Sequence, residues 1–210
     1  MLPPVFAPSP WFFRFGAVCG LLCGLFIGLP GAIEAFTGET TATSFVLGLS
    51  PAFATPLLVA LHLRQHSHAG RAGTIAYAVN LIGLGLFGGA AFTLNMALFG
   101  LDDTTLEEVL TGTTRVALLG SAIVFAVGTL LFGLSMVRTG LFPKVPSWGY
   151  AVMLAALALL GPLPDSVFSS LVHVLAGASV AWLSLSLRAW VRSAGDGGAV
   201  PGAAASVSMP

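Results

Sequence analysis

The chain has 210 residues, 56% of them hydrophobic, 8% charged and 26 of them glycine, whereas an average soluble domain is about 45–50% apolar and about 25% charged. Such a chain belongs in a bilayer. Its formal net charge of zero excludes the Lys and Arg surplus that phosphate-backbone recognition needs, and nucleic acid with it.

The first ten residues, Met1 to Pro10, lack a basic start, and no A-x-A-like site follows the apolar stretch behind them. A cleaved signal peptide is not expected, and the first helix stays. A hydrocarbon core takes about 20 apolar residues of helix, and six segments come near this, at roughly 11–35, 43–63, 72–99, 113–138, 147–163 and 165–190. The expected fold is therefore all-α: a single six-helix transmembrane bundle over 1–192, with a disordered tail over 193–210.

The first helix carries glycines at 16, 20, 24 and 28. Each interior Gly costs about 1 kcal/mol relative to Ala, so Gly16, Gly20, Gly24 and Gly28 make sense as a stacked face where another backbone approaches closely in lipid. That partner is expected in the glycine-rich third helix (Gly83, Gly85, Gly88, Gly89), in a second copy or in a partner protein. Cys19 and Cys23, one turn apart on the same helix, are poorly placed for a disulfide. The helix is expected to end near Pro30-Gly31, with Glu34 just beyond.

Helix two is expected to start at Thr43 or Ser44 as N-cap and to be kinked or broken at Pro51 and Pro56, which free the carbonyls of Leu47 and Ala52. The connection after helix three reads as two overlapping capping boxes, Thr104 with Glu107 and Thr105 with Glu108. A helix unbroken from there to Arg138 would be about 51 Å long, so a short surface helix bending at Gly112 is predicted instead. Helix five is short, led by Trp148 and closed by Gly161-Pro162-Leu163-Pro164; Asp165 or Ser166 can cap helix six, which ends at Trp190 and Arg192.

Charge orders these segments. Glu34, Glu39, Asp102, Asp103, Glu107, Glu108 and Asp165 fall in alternate connections, while Arg14, Arg64, Arg71, Arg138, Lys144, Arg188 and Arg192 fall at the opposite ends, leaving only Arg115 of the eight basic residues on the acidic side. The positive-inside rule makes the basic side, and both termini, cytoplasmic.

Inward-running helices end alike, as Leu61-His-Leu-Arg64, Ser135-Met-Val-Arg138 and Leu185-Ser-Leu-Arg188, which fits either an old hairpin duplication or, more simply, topology alone. The phrases Ala60-Leu-His-Leu-Arg-Gln65 with Ala69-Gly-Arg-Ala-Gly73, Leu131 to Pro143, and Leu175-Ala-Gly-Ala-Ser-Val-Ala-Trp182 resemble those of a loose group of multi-pass membrane proteins, about six helices each, from high-GC bacteria. The resemblance covers helices two to six. It implies a bacterial inner-membrane location and names no activity.

Two constellations are candidates for chemistry. His62, His66 and His68 lie within seven residues at the inner end of helix two, and His62 and His66 share a helix face as two metal ligands can. Arg64 and Arg71 beside them repel a cation, and a solvated interfacial loop explains them too. Topology also brings Glu34, Asn95, Arg115 and His173 to the outer half of the bilayer, where polar groups mark a pathway, a binding cavity or interhelical bridges. The acidic run 102–108 lacks the alternation and Gly of a calcium loop. G-x-S-x-G, P-loop and Rossmann patterns are absent, so covalent catalysis has no candidate and no cofactor is implied. The expectation is a non-enzymatic bundle that binds lipid, a hydrophobic small molecule or a protein partner. The alternatives are a small transporter or channel subunit, and a metal-dependent membrane enzyme.

Overall fold

The structure is a computed structural model and describes residues 9–160 and 166–196. It is helical, with no strand among the described residues: α1 (Pro10–Thr37), α2 (Thr41–Phe92), a π-helical turn (Thr93–Leu98), α3 (Asp103–Val109), α4 (Gly112–Thr139), α5 (Lys144–Leu160) and α6 (Val167–Asp196). By length and composition α1, the run Thr41–Leu98, α4 and Val167–Ala194 can each cross a membrane, while α5 has 17 residues. The Gly161–Pro164 closure, the Asp165 cap and the tail beyond 196 lie outside the described residues.

α2 contains a reversal. Gly70, at φ 58° and ψ −161°, is its one non-helical residue, and behind it the chain folds back. Tyr77 stacks on His62 with centroids 3.9 Å apart, Gly88 sits on Pro51, and Gly48 sits on Asn95 and Met96. The limbs 41–69 and 71–92 are thus an antiparallel helical hairpin, as the sequence predicts for its second and third segments. Of the kink or break expected at Pro51 and Pro56, the break is absent: the first limb stays helical through both. They serve as packing surface instead: a Cβ on Gly16 would lie 2.9 Å from the Pro56 carbonyl oxygen.

Other ends also move. α1 runs through Pro30 to Thr37 and stops at Gly38, which has φ 70°; Glu34 is therefore a helical residue, not a loop residue. α2 starts earlier, with Thr40 as N-cap and Thr43 as its reciprocal partner, each hydroxyl accepting the other's backbone N–H (3.2 and 3.0 Å). α3 is capped by Asp102, not by Thr104 or Thr105. Its carboxylate accepts from Thr105 N at 3.0 Å and from the Thr105 hydroxyl at 2.8 Å, and these bonds hold the Asp102 carboxyl below its usual pKa. Aspartate is as good an N-cap as the hydroxyl residues that follow it. α5 begins at Lys144 because Pro146 is tolerated in a first helical turn. At the end of the hairpin the Thr93 hydroxyl and Asn95 Nδ2 donate to the carbonyls of Gly89 (2.8 Å) and Ala91 (2.9 Å). The chain continues there as a single π-helical turn, Thr93–Leu98.

The helices close a circuit in which α1 packs between α2 and α6, α4 between α2 and α5, and α5 against α6. Glycines set most of the crossings: Gly83 lies on Phe125, Gly128 on Asn80, Gly133 on Ala151, and Gly24 on Gly177 and Ala181. The core holds Leu57, Leu58, Leu61, Phe132, Met136, Leu183 and Leu187, all under 2% exposed. A buried polar bond joins α2 to α5 within it, from Asn80 Nδ2 to the Tyr150 hydroxyl at 2.7 Å. Tyr150→Phe strands that buried amide and is expected to cost about 1–3 kcal/mol. Asn80→Leu in the Tyr150→Phe background should recover part of the loss in a thermal-melt comparison.

Candidate functional site

Opposite ends of the bundle carry opposite charge, because alternate helix ends meet there. At one end Phe13 of α1 packs edge-on against Trp190 of α6 at 5.2 Å, and Arg64 of α2 reaches Leu141 and Phe142 in the α4–α5 connection. Arg14, Arg71, Arg138, Lys144, Arg188 and Arg192 belong to the same helix ends. At the other end lie the α1–α2 turn with Glu34 and Glu39, the π-turn, and α3 with Asp102, Glu107 and Glu108. Asp196, the last helical residue, is the acidic exception at the basic end.

The acidic end only partly assembles the predicted polar set. Glu34 and His173 lie on adjoining helices: Gly31, one turn before Glu34, abuts His173 and the Ser170 carbonyl. His173 Nδ1 donates to the Ser169 carbonyl at 2.8 Å, which leaves Nε2 as the free ring nitrogen. Glu34 Oε1 is buried without a hydrogen-bond partner. Asn95 belongs instead to the hairpin, turned onto its own backbone, and Arg115 is exposed on the first turn of α4. Among the described residues no hydrogen bond or ion pair joins any two of the four. The set divides into a Glu34–His173 neighbourhood and two separate residues.

At the basic end His62 and His66 meet edge to face at 5.3 Å, but His62 is buried against Tyr77. His68 is exposed, its Nδ1 2.9 Å from the Ser67 hydroxyl. The helix turns His68 away from the face that His62 and His66 share. Among the described residues no three His, Cys, Asp or Glu side chains come together as a metal set. An open depression of about 520 Å³ lies beside the reversal, lined by His66, Gly70, Arg71, Thr74 and Ile75.

Sequence reasoning passed over the residues between the histidines. Arg64 Nη2 donates to the Leu141 carbonyl at 2.7 Å, and the guanidinium lies over the rings of Phe142 (4.5 Å) and Trp190 (5.0 Å). No carboxylate pairs with it among the described residues. Gln65 is fully buried and meets the Thr139 hydroxyl at 3.4 Å. Their only signal in the sequence is that an arginine and an amide close an otherwise apolar helix.

The glycine face of α1 also has a different partner from the one expected. Gly16 meets α2, Gly20 lies between Leu57 and Ser184, Gly24 meets Gly177 and Ala181, and Gly28 lies 3.7 Å from Gly177. α6 and α2 of the same chain pack on this face. The third-helix glycines Gly83 and Gly88 pack on α4 and on Pro51, and Gly85 and Gly89 meet nothing. No family model, curated protein or solved structure matches the chain.

Proposed function

We propose that the chain is a bacterial inner-membrane protein of six spans, with both termini cytoplasmic, that acts as a non-enzymatic binding bundle holding anionic lipid at its basic end. The observation that carries this reading is the segregation of charge onto opposite ends of antiparallel helices. Seven basic residues stand at helix ends carrying one carboxylate, and that is where the positive-inside rule locates the cytoplasmic headgroups. Trp148, near the start of α5, and Trp190, near the end of α6, are both half-exposed and suit an interfacial belt.

Lipid retained by the purified full-length protein tests this. Native mass spectrometry should show phosphatidylglycerol held in preference to phosphatidylcholine, and the preference should fall as salt rises because the attraction is screened. Equal retention of the two lipids at all salt concentrations would reject the reading.

A transport reading rests on Glu34, whose buried unpartnered oxygen, one turn past the Gly31 contact with His173, suits a proton or cation. The intact first limb of α2 removes the broken helix that also favoured it.

A further inference from the structure

Among the described residues, three of the five buried side-chain polar atoms left without a hydrogen-bond partner belong to a single turn of α2: His62 Nδ1, Arg64 Nη1 and Gln65 Nε2. The Arg64 and Gln65 side chains end on the same short stretch of chain. Arg64 contacts Leu141 and Phe142, and Gln65 contacts Thr139. α5 starts at Lys144, just past that stretch, so the positive end of its dipole lies at the same junction. A guanidinium held between two aromatic rings, with a spare N–H and no counter-ion, is costly to bury. The fully buried amide beside it adds another unused donor.

An anion with several acceptor oxygens answers the Arg64 and Gln65 donors together; His62 Nδ1, on the ring stacked against Tyr77, is not part of the site. It supplies the missing charge, accepts from Arg64 Nη1 and Gln65 Nε2, and leaves the Leu141 bond in place. A phosphate group has that chemistry and matches a guanidinium better than an ammonium. Trp190, 37% exposed, has the Arg64 guanidinium 5.0 Å from its ring centre and so reports on what binds there.

We infer that Arg64 and Gln65 form a phosphate-binding site at the junction of α2, the α4–α5 connection and α6. The phosphate is either the phosphodiester of an inner-leaflet lipid or free phosphate. The lipid arm rests on the lipid-binding reading given above; the site itself does not.

Full-length protein in detergent is titrated with phosphatidylglycerol, with inorganic phosphate, and with diacylglycerol as the phosphate-free control. Native mass spectrometry and Trp fluorescence are the readouts, with Trp190→Phe marking the share of the signal due to Trp190. Phosphatidylglycerol or phosphate, but not diacylglycerol, should bind and change the Trp190 signal. Arg64→Lys should weaken that binding about tenfold, through loss of the paired guanidinium donors. Gln65→Leu, close in volume, should weaken it less and serves as the test if the arginine variant does not fold. Response to the lipid alone identifies a headgroup, and response to phosphate alone a soluble anion. Binding of neither, or binding that both folded variants retain in full, overturns the site. Anionic-lipid preference that survives both substitutions leaves the proposed function standing and removes only this site. Arg64-dependent phosphate binding without lipid preference does the reverse.

Discussion

Gly24→Leu should lower the melting temperature of the detergent-solubilised protein by about 6–12 °C, taking the upper part of the overpacking range and about 2–4 °C per kcal/mol for a chain of this size. The reason lies in what the new side chain would meet. Its first carbon alone would lie 2.6 Å from the Gly177 carbonyl oxygen and 2.8 Å from the Ala181 backbone nitrogen. Neither atom can move without moving α6. Gly20 differs, because its neighbours are the ends of the Leu57 and Ser184 side chains, so Gly20→Ala should be milder than Gly24→Ala. Gly28→Ala, with nothing nearer than 3.7 Å, should be nearly neutral. An unchanged melt for Gly24→Leu would mean that this face does not meet α6.

Gly70→Val should cost about 3 kcal/mol, the upper end of the range for a non-glycine residue held in a glycine-only region of backbone space. The loss here is purely conformational. A Cβ at Gly70 meets nothing within 4 Å, so no clash contributes, whereas φ 58° with ψ −161° is closed to a β-branched residue. The melt should fall by roughly 6–12 °C, and Gly85→Val, at an open helical position on the second limb, should change it far less. Equal effects at the two positions would show that the chain does not reverse at Gly70.

The helix pattern was legible in the sequence because membrane helices announce themselves by length and apolarity, and charge marks their ends. The short α3 and its break before Gly112 were legible for the same local reasons. Boundaries were less so where a residue type permits two outcomes. Pro30, Pro51 and Pro56 each remove one backbone bond, yet a helix packed on both sides continues through them, and no local rule foretold that. Partners were hardly legible. The glycines of α1 declare a close approach, but nothing local says whether the approaching backbone is the third helix or the sixth. Of the polar set, Glu34 and His173 fall on neighbouring turns because α1 and α6 are antiparallel neighbours, while Asn95 donates to its own backbone. Arg64 and Gln65 escaped notice because an arginine near the end of an apolar helix is ordinary. Only the packed structure shows that it has aromatic neighbours and no carboxylate.

The claim on which the rest depends is that the α2 reversal and the acidic α2–α4 connection lie on opposite sides of a membrane, the reversal inside. A membrane-impermeant maleimide tests it on single-cysteine variants at Ser67 and Thr104, both exposed, in a background with Cys19 and Cys23, both buried, replaced by Ala. In intact cells the Thr104→Cys variant should label and the Ser67→Cys variant should not, with Ser67→Cys labelling only after the membrane is opened. Labelling of both positions in intact cells, or of Ser67→Cys alone, would contradict the account.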